Sequence, residues 1–211
     1  MKKIIILALV MIMALTGCSK KGPVAIVNGV DISREDFNTE LKFELAAYES
    51  QGITLTDEQS DEVKKYVVDR LINTQLLKEA AAKAGITAAS VKIDEELTAV
   101  KDSFEDEEAF AKALADAHFT LESYRSALAD VLMIEALFEK ELELSKIEVG
   151  EEEIQAMVDL YLKNYEGDEE IDEEDLRKYV AYTLKEQKAE SMRSEYVEKL
   201  RKESEIKYLD F

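Results

Sequence analysis

After Pro23 no further proline occurs in this 211-residue chain, and only seven glycines interrupt it. Proline costs a helix interior about 3 kcal/mol and glycine about 1 kcal/mol relative to alanine. Long stretches rich in Ala, Leu, Glu and Lys therefore meet nothing that breaks them, and the chain is predicted to be mainly α-helical.

The two ends are the exceptions. Val24-Ala25-Ile26-Val27 followed by Asn28-Gly29 reads as a short strand entering a tight turn, because the Asn-Gly pair tolerates positive φ. Glu205 to Phe211 alternates polar and apolar residues with period two. These segments are expected to pair, giving a small β element from the N- and C-terminal segments; exchanged between two copies, they would make a homodimer.

Polar caps mark where helices begin. Ser33 opens the first, and Thr56-Asp57-Glu58-Gln59 has the capping-box spacing of the second. Val63, Val67, Leu71, Thr74, Leu77 and Ala81 then follow at helical intervals until Gly85. Further helices are predicted from about Val91 to Phe104, from Glu107 to Ala117, from Thr120 through Phe138, and from Gly150 to near Tyr165. The helix after Thr120 carries the most apolar stretch beyond the leader. A final helix, from Asp172 to about Ser204, is expected to turn Leu176, Val180, Leu184, Met192, Tyr196, Val197 and Leu200 inward. No fixed-period repeat is present, which argues against a solenoid.

The first residues have a different character. Lys2 and Lys3 precede an apolar run from Ile4 to Leu15, and Leu15-Thr16-Gly17-Cys18 places the single cysteine directly after small residues. The run is too short, and too closely followed by Ser19-Lys20-Lys21, for a spanning helix. The segment resembles a secretory leader ending in the lipobox of bacterial lipoproteins. That resemblance implies a signal peptide over 1–17, a diacylglyceryl and acyl (palmitate-type) lipid on Cys18, a polar tether over 18–23 and a domain over 24–211. Several acyl chains hold a protein at a bilayer far more firmly than one. The expected location is the cell envelope: the periplasmic side or outer membrane of a two-membrane cell, Ser19 not being the aspartate linked to inner-membrane retention, or the outer face of a single cell membrane.

Charge narrows the partners. The chain holds 27 basic and 47 acidic residues, a formal net charge of −20, which becomes −22 without Lys2 and Lys3. Nucleic acid needs a basic footprint and is not expected. An acidic body also repels an anionic bilayer, so the lipid must supply the membrane contact.

Catalytic chemistry is poorly supplied. The single histidine, His118, lies in a connection between helices, and no nucleophile elbow is present, so no catalytic residues and no enzyme activity are expected. One histidine and one lipidated cysteine cannot build a zinc site, and no metal or other cofactor is expected. The acidic run from Glu166 to Asp175 lacks the ligand pattern of a calcium loop. Asp172 reads as a helix cap, with Glu173, Glu174 and Asp175 favouring the positive end of the helix. Asp102, Glu105, Asp106, Glu107 and Glu108 read in the same way, as a solvated helix start.

Five blocks, in order, carry a wider resemblance. Val24 to Phe37, with its strand, Asn-Gly turn and capped helix, is followed by Leu71 to Ile86, a long helix ending in a Gly-Ile step. Phe119 to Arg125, Val149 to Ile154 and Leu200 to Ile206 complete the set. The arrangement resembles the N-terminal chaperone domain of the SurA and PrsA foldase family. His118 stands where the family commonly has glycine, and Gly150 where Ser or Thr caps; each substitution keeps a permitted local role. Members that isomerise prolyl bonds carry a parvulin domain before the closing helix, whereas here only 166–171 separates the two helices.

The resemblance implies a SurA-like helical chaperone domain whose closing helix and strand occupy about 172–211. It would be an ATP-independent holdase for unfolded or partly folded envelope proteins, without isomerase activity. A dedicated accessory or scaffold lipoprotein of one cell-surface assembly is the alternative, since fold does not fix function. Met157, Tyr161 and Tyr165 lie at four-residue steps on one helix face. Two roles are open to this stripe: packing against the last helix, or lining a client cradle, for which thioethers and amphipathic rings are suited.

Overall fold

The computed structural model describes residues 22–117, 119–165 and 171–211. Within them, a three-stranded antiparallel sheet accompanies seven α-helices. Strand β1 (Ala25–Val27) is central, flanked by β2 (Val30–Ile32) and β3 (Ile206–Tyr208). The β1–β2 hairpin turns at Asn28 and Gly29, with φ of 49° and 86°, the left-handed pair that a two-residue hairpin requires. Register places Ala25 opposite both Ile32 and Tyr208, so the expected pairing of the chain ends is made within one chain. β2 is an addition to the expectation: at three residues it is too short for an alternation to stand out.

The helices are α1 (Arg34–Ser50), α2 (Asp57–Lys83), α3 (Ile93–Asp102), α4 (Glu107–Asp116), α5 (Leu121–Leu142), α6 (Glu151–Asn164) and α7 (Glu173–Lys202). Their caps act as the sequence predicts. Ser33 Oγ accepts from the N–H groups of Glu35 and Asp36, and Thr56 and Gln59 form the full capping box. Asp106 caps α4, and Asp172 caps α7 by accepting from the N–H groups of Glu174 and Asp175. Gly85, at φ 77°, ends α2 in a Schellman turn in which the Ile86 N–H donates to the Ala81 carbonyl at 2.9 Å. Lys140 of α5 donates to the freed Ala84 carbonyl at 2.7 Å.

α2 is the hub. Its N-terminal half buries Val67, Val68 and Ile72 against Val24, Ala25 and Val27 beside the sheet, with Phe37 of α1 closing the cluster. Its C-terminal half buries Leu77 and Ala81 against Leu137 of α5, with Tyr196 and Val197 of α7 packed alongside. Leu200 touches both clusters and joins them. The inward face of α2 therefore includes Val68, Ile72, Leu76 and Ala80 beyond the predicted stripe, while Leu71 and Thr74 are only half-buried.

α5 departs further from its expectation. Of its apolar residues only Ala129 and Leu137 are buried; Val131 is exposed, and Leu121 likewise. The helix has neighbours on α2, α3 and α4 but is not enclosed by them.

α7 runs unbroken for 30 residues, about 45 Å at 1.5 Å per residue. Its C-terminal half lies on α2 and α5. Its N-terminal half pairs with α6 around a separate cluster of Val158, Leu176, Val180 and Leu184. A single helix thus links the main core to a helical hairpin.

Candidate functional site

The α6–α7 hairpin is built from two stripes on each helix. On α6, Ile154 and Val158 point into the hairpin core, and on α7 Leu176, Val180 and Leu184 meet them. A hydrogen bond and two ion pairs tie the two helices: Arg177 donates to the Gln155 amide oxygen and to Glu151, and Lys188 reaches Glu153 at 2.7 Å. Lys188 also donates to the Glu148 carbonyl at 3.3 Å, tying the start of α6 to the middle of α7.

The stripe singled out in the sequence lies outside that core. Met157, Tyr161 and Tyr165 are all exposed, so packing against the last helix is the task of Ile154 and Val158 instead. Side chains three and four apart share a helix face, and the one-residue offset between 157 and 158 turns the first set onto the hairpin's surface. Tyr161 and Tyr165 stack with ring centroids 6.0 Å apart and planes 20° from parallel.

Across from them α7 supplies Tyr179, Thr183 and Gln187, and the two faces enclose a groove of about 600 Å³ floored by Val180 and Leu184. Leu160 and Asn164 complete the α6 wall, so among the described residues no charged side chain lines the groove although 35% of the chain is charged. The volume falls within the range of ligand pockets. Tyr179 at 64% and Tyr182 at 65% exposure are the most open large hydrophobic side chains of the described residues. Among the described residues the groove offers rings, a thioether and amide or hydroxyl groups. Such a lining suits contact with an apolar surface.

The sequence picks out three of the α6 lining residues and misses the α7 wall. A signal for that wall exists in Tyr179, Thr183 and Gln187, spaced four apart and offset by one from Val180 and Leu184. Cys18, His118 and 166–170 of the acidic run lie outside the described residues. Among the described residues no group of three or more His, Cys, Asp or Glu is placed to hold a metal ion, and no helix is long and apolar enough to cross a membrane.

Comparison with known families finds the SurA-like N-terminal domain matching residues 1–138. The chain belongs to this family. The family is of chaperone type, and the match covers the sheet strands β1 and β2, helices α1 to α4 and most of α5. The groove of α6 and α7 lies C-terminal to the matched residues. No curated protein matches the chain.

Proposed function

We propose that the protein is an ATP-independent extracytoplasmic holdase, anchored by lipid on Cys18 and lacking prolyl isomerase activity, that binds unfolded envelope proteins. The observation that carries this reading is the open groove of α6 and α7, where Met157, Tyr161, Tyr165 and Tyr179 stand exposed and which, among the described residues, has no charged side chain in its lining. Monomeric proteins seldom leave a contiguous apolar patch uncovered without a binding role. Membership of a chaperone-type family supports the same reading.

The mechanism is passive. An unfolded segment lays apolar side chains on the groove, which lowers the free concentration of aggregation-prone chain, and leaves when it folds or inserts. Thioether and tyrosine side chains adapt to varied partners, which suits a binder of many sequences. A net charge of −20 keeps the loaded complex soluble. In the chain 165–172 joins α6 to α7 directly, at the point where isomerising relatives would carry a parvulin domain.

Residues 19–211 are to be tested against several unrelated unfolded envelope proteins. Suppression of aggregation for most of them near equimolar ratio is expected. A folded sample that protects none, and that captures one folded partner tightly from envelope extracts, would replace this reading with that of a dedicated accessory subunit.

A further inference from the structure

A second hollow, of about 750 Å³, lies between β2, α1, α2 and α5, entirely within the residues that match the family. Its character is opposite to that of the groove. Phe43 of α1 and Phe119 at the head of α5 line it, 38% and 37% exposed. Among the described residues, five carboxylates and one cation stand around them.

Two of those carboxylates are already committed. Glu40 is paired with Arg70, and Asp130 holds the one cation, Lys78, at 2.6 Å. Asp31, Glu35 and Asp36 make no ion pair among the described residues, so the described lining of the hollow carries a negative excess. Arg34 and Lys42 line the adjoining hollow; Arg34 is spent on the carbonyls of Gly22 and Asp210. Aromatic faces attract cations as well as apolar groups. The hollow therefore asks for a ligand that brings both.

We infer that the cleft between α1 and α5 binds polypeptide segments that mix basic and apolar residues, with Phe43 and Phe119 receiving the apolar side chains and Asp31, Glu35 and Asp36 the cations. The inference deepens the holdase reading and rests on it for the nature of the ligand, an unfolded segment. It assigns the protein two contact sites of different selectivity: an uncharged groove on α6 and α7 that takes apolar segments whatever their charge context, and an anionic cleft that selects for lysine and arginine. The acidic body steers cationic segments towards the second site, an effect that salt weakens.

The test uses the full chain extracted in mild detergent and a fluorescent peptide alternating Lys with Phe and Leu, read by anisotropy. Expected are a loss of affinity on the order of tenfold between low and high salt, and a similar loss in the shape-conserving variant Asp31→Asn/Glu35→Gln. The groove variant Tyr161→Ala/Tyr179→Ala should keep the parent's salt dependence and its preference for this peptide over one with Glu in place of Lys. Equal binding of a peptide with Glu in place of Lys, unchanged affinity in the Asp31/Glu35 variant, or loss only in the groove variant would each overturn the inference. Aggregation assays on the same samples separate the two readings: peptide binding with no protection of unfolded proteins removes the holdase and leaves the cleft standing.

Discussion

Asn28 and Glu205 hold one another through a reciprocal pair of hydrogen bonds: the Asn28 N–H donates to the Glu205 carbonyl at 2.9 Å, and the Glu205 N–H donates to Asn28 Oδ1 at 2.9 Å. The Asn28 amide also donates to Glu79 of α2 at 2.7 Å and to Ser204 at 3.3 Å. One turn residue thereby clasps the hairpin, the hub helix and the end of α7.

Closing the chain ends should accordingly matter to stability. Deleting Glu205–Phe211 removes this clasp, the β1–β3 ladder and the edge-to-face contact of Phe211 with Phe37 at 5.7 Å. The expected cost is about 3–5 kcal/mol, or a melting temperature lower by roughly 10 °C. An unchanged melting curve would show that β3 is dispensable.

Tyr161→Ala and Tyr165→Ala separate binding from folding. Both side chains are exposed and outside the hairpin core, so stability should move by no more than about 0.5 kcal/mol. Leu184→Ala, whose side chain sits in that core, should cost about 2–4 kcal/mol. Client affinity, measured by titration with an unfolded protein, should fall several-fold in the tyrosine variants. If it holds steady in folded protein, clients do not use the groove.

Asp69 gives the fold a pH-sensitive joint. Burial works to raise its pKa, but hydrogen bonds from Tyr208, Lys65 and Arg201 together outweigh it and hold the carboxyl below its ordinary value of 3.8. The unfolded chain therefore takes up this proton at a higher pH than the folded one. Its stabilisation is complete above that ordinary value and drains away as pH falls from there through the folded value. Melting temperatures followed from about pH 6 to about pH 2.5 should drop more steeply for the parent than for Asp69→Asn. Parallel curves would remove Asp69 from the acid response.

Cys18→Ala tests the anchor. Replacement should release the protein from the membrane fraction and abolish incorporation of labelled palmitate. Retention of both in the variant would mean that something other than Cys18 holds the chain there.

Much of this architecture is legible in the order of residues, and the places where it is not have a common cause. Helix starts at Ser33, Thr56, Thr120 and Asp172 can be read directly, because an N-cap satisfies backbone donors two or three residues away and needs no distant partner. The Asn28-Gly29 turn and the Gly85 stop are equally local, each set by a backbone conformation with positive φ. The apolar residues of α5 show the limit. Periodicity says that they share a face, but whether Val131 is covered depends on which helices arrive beside it, and none encloses it.

The binding surfaces divide along the same line. A four-residue spacing determined that Met157, Tyr161 and Tyr165 share a helix face, and composition determined an acidic, mainly helical chain with helix-starting and helix-stopping residues in place. Only the tertiary structure decided that Val158, one position away, is the stripe that packs on α7, leaving the three as the wall of a groove. It alone brought Asp31, Phe43 and Phe119 to one cleft from three separate elements. Local hydrogen bonding and periodicity are properties of neighbours in the chain; burial and charge complementarity are properties of neighbours in space, and those exist once the helices have packed.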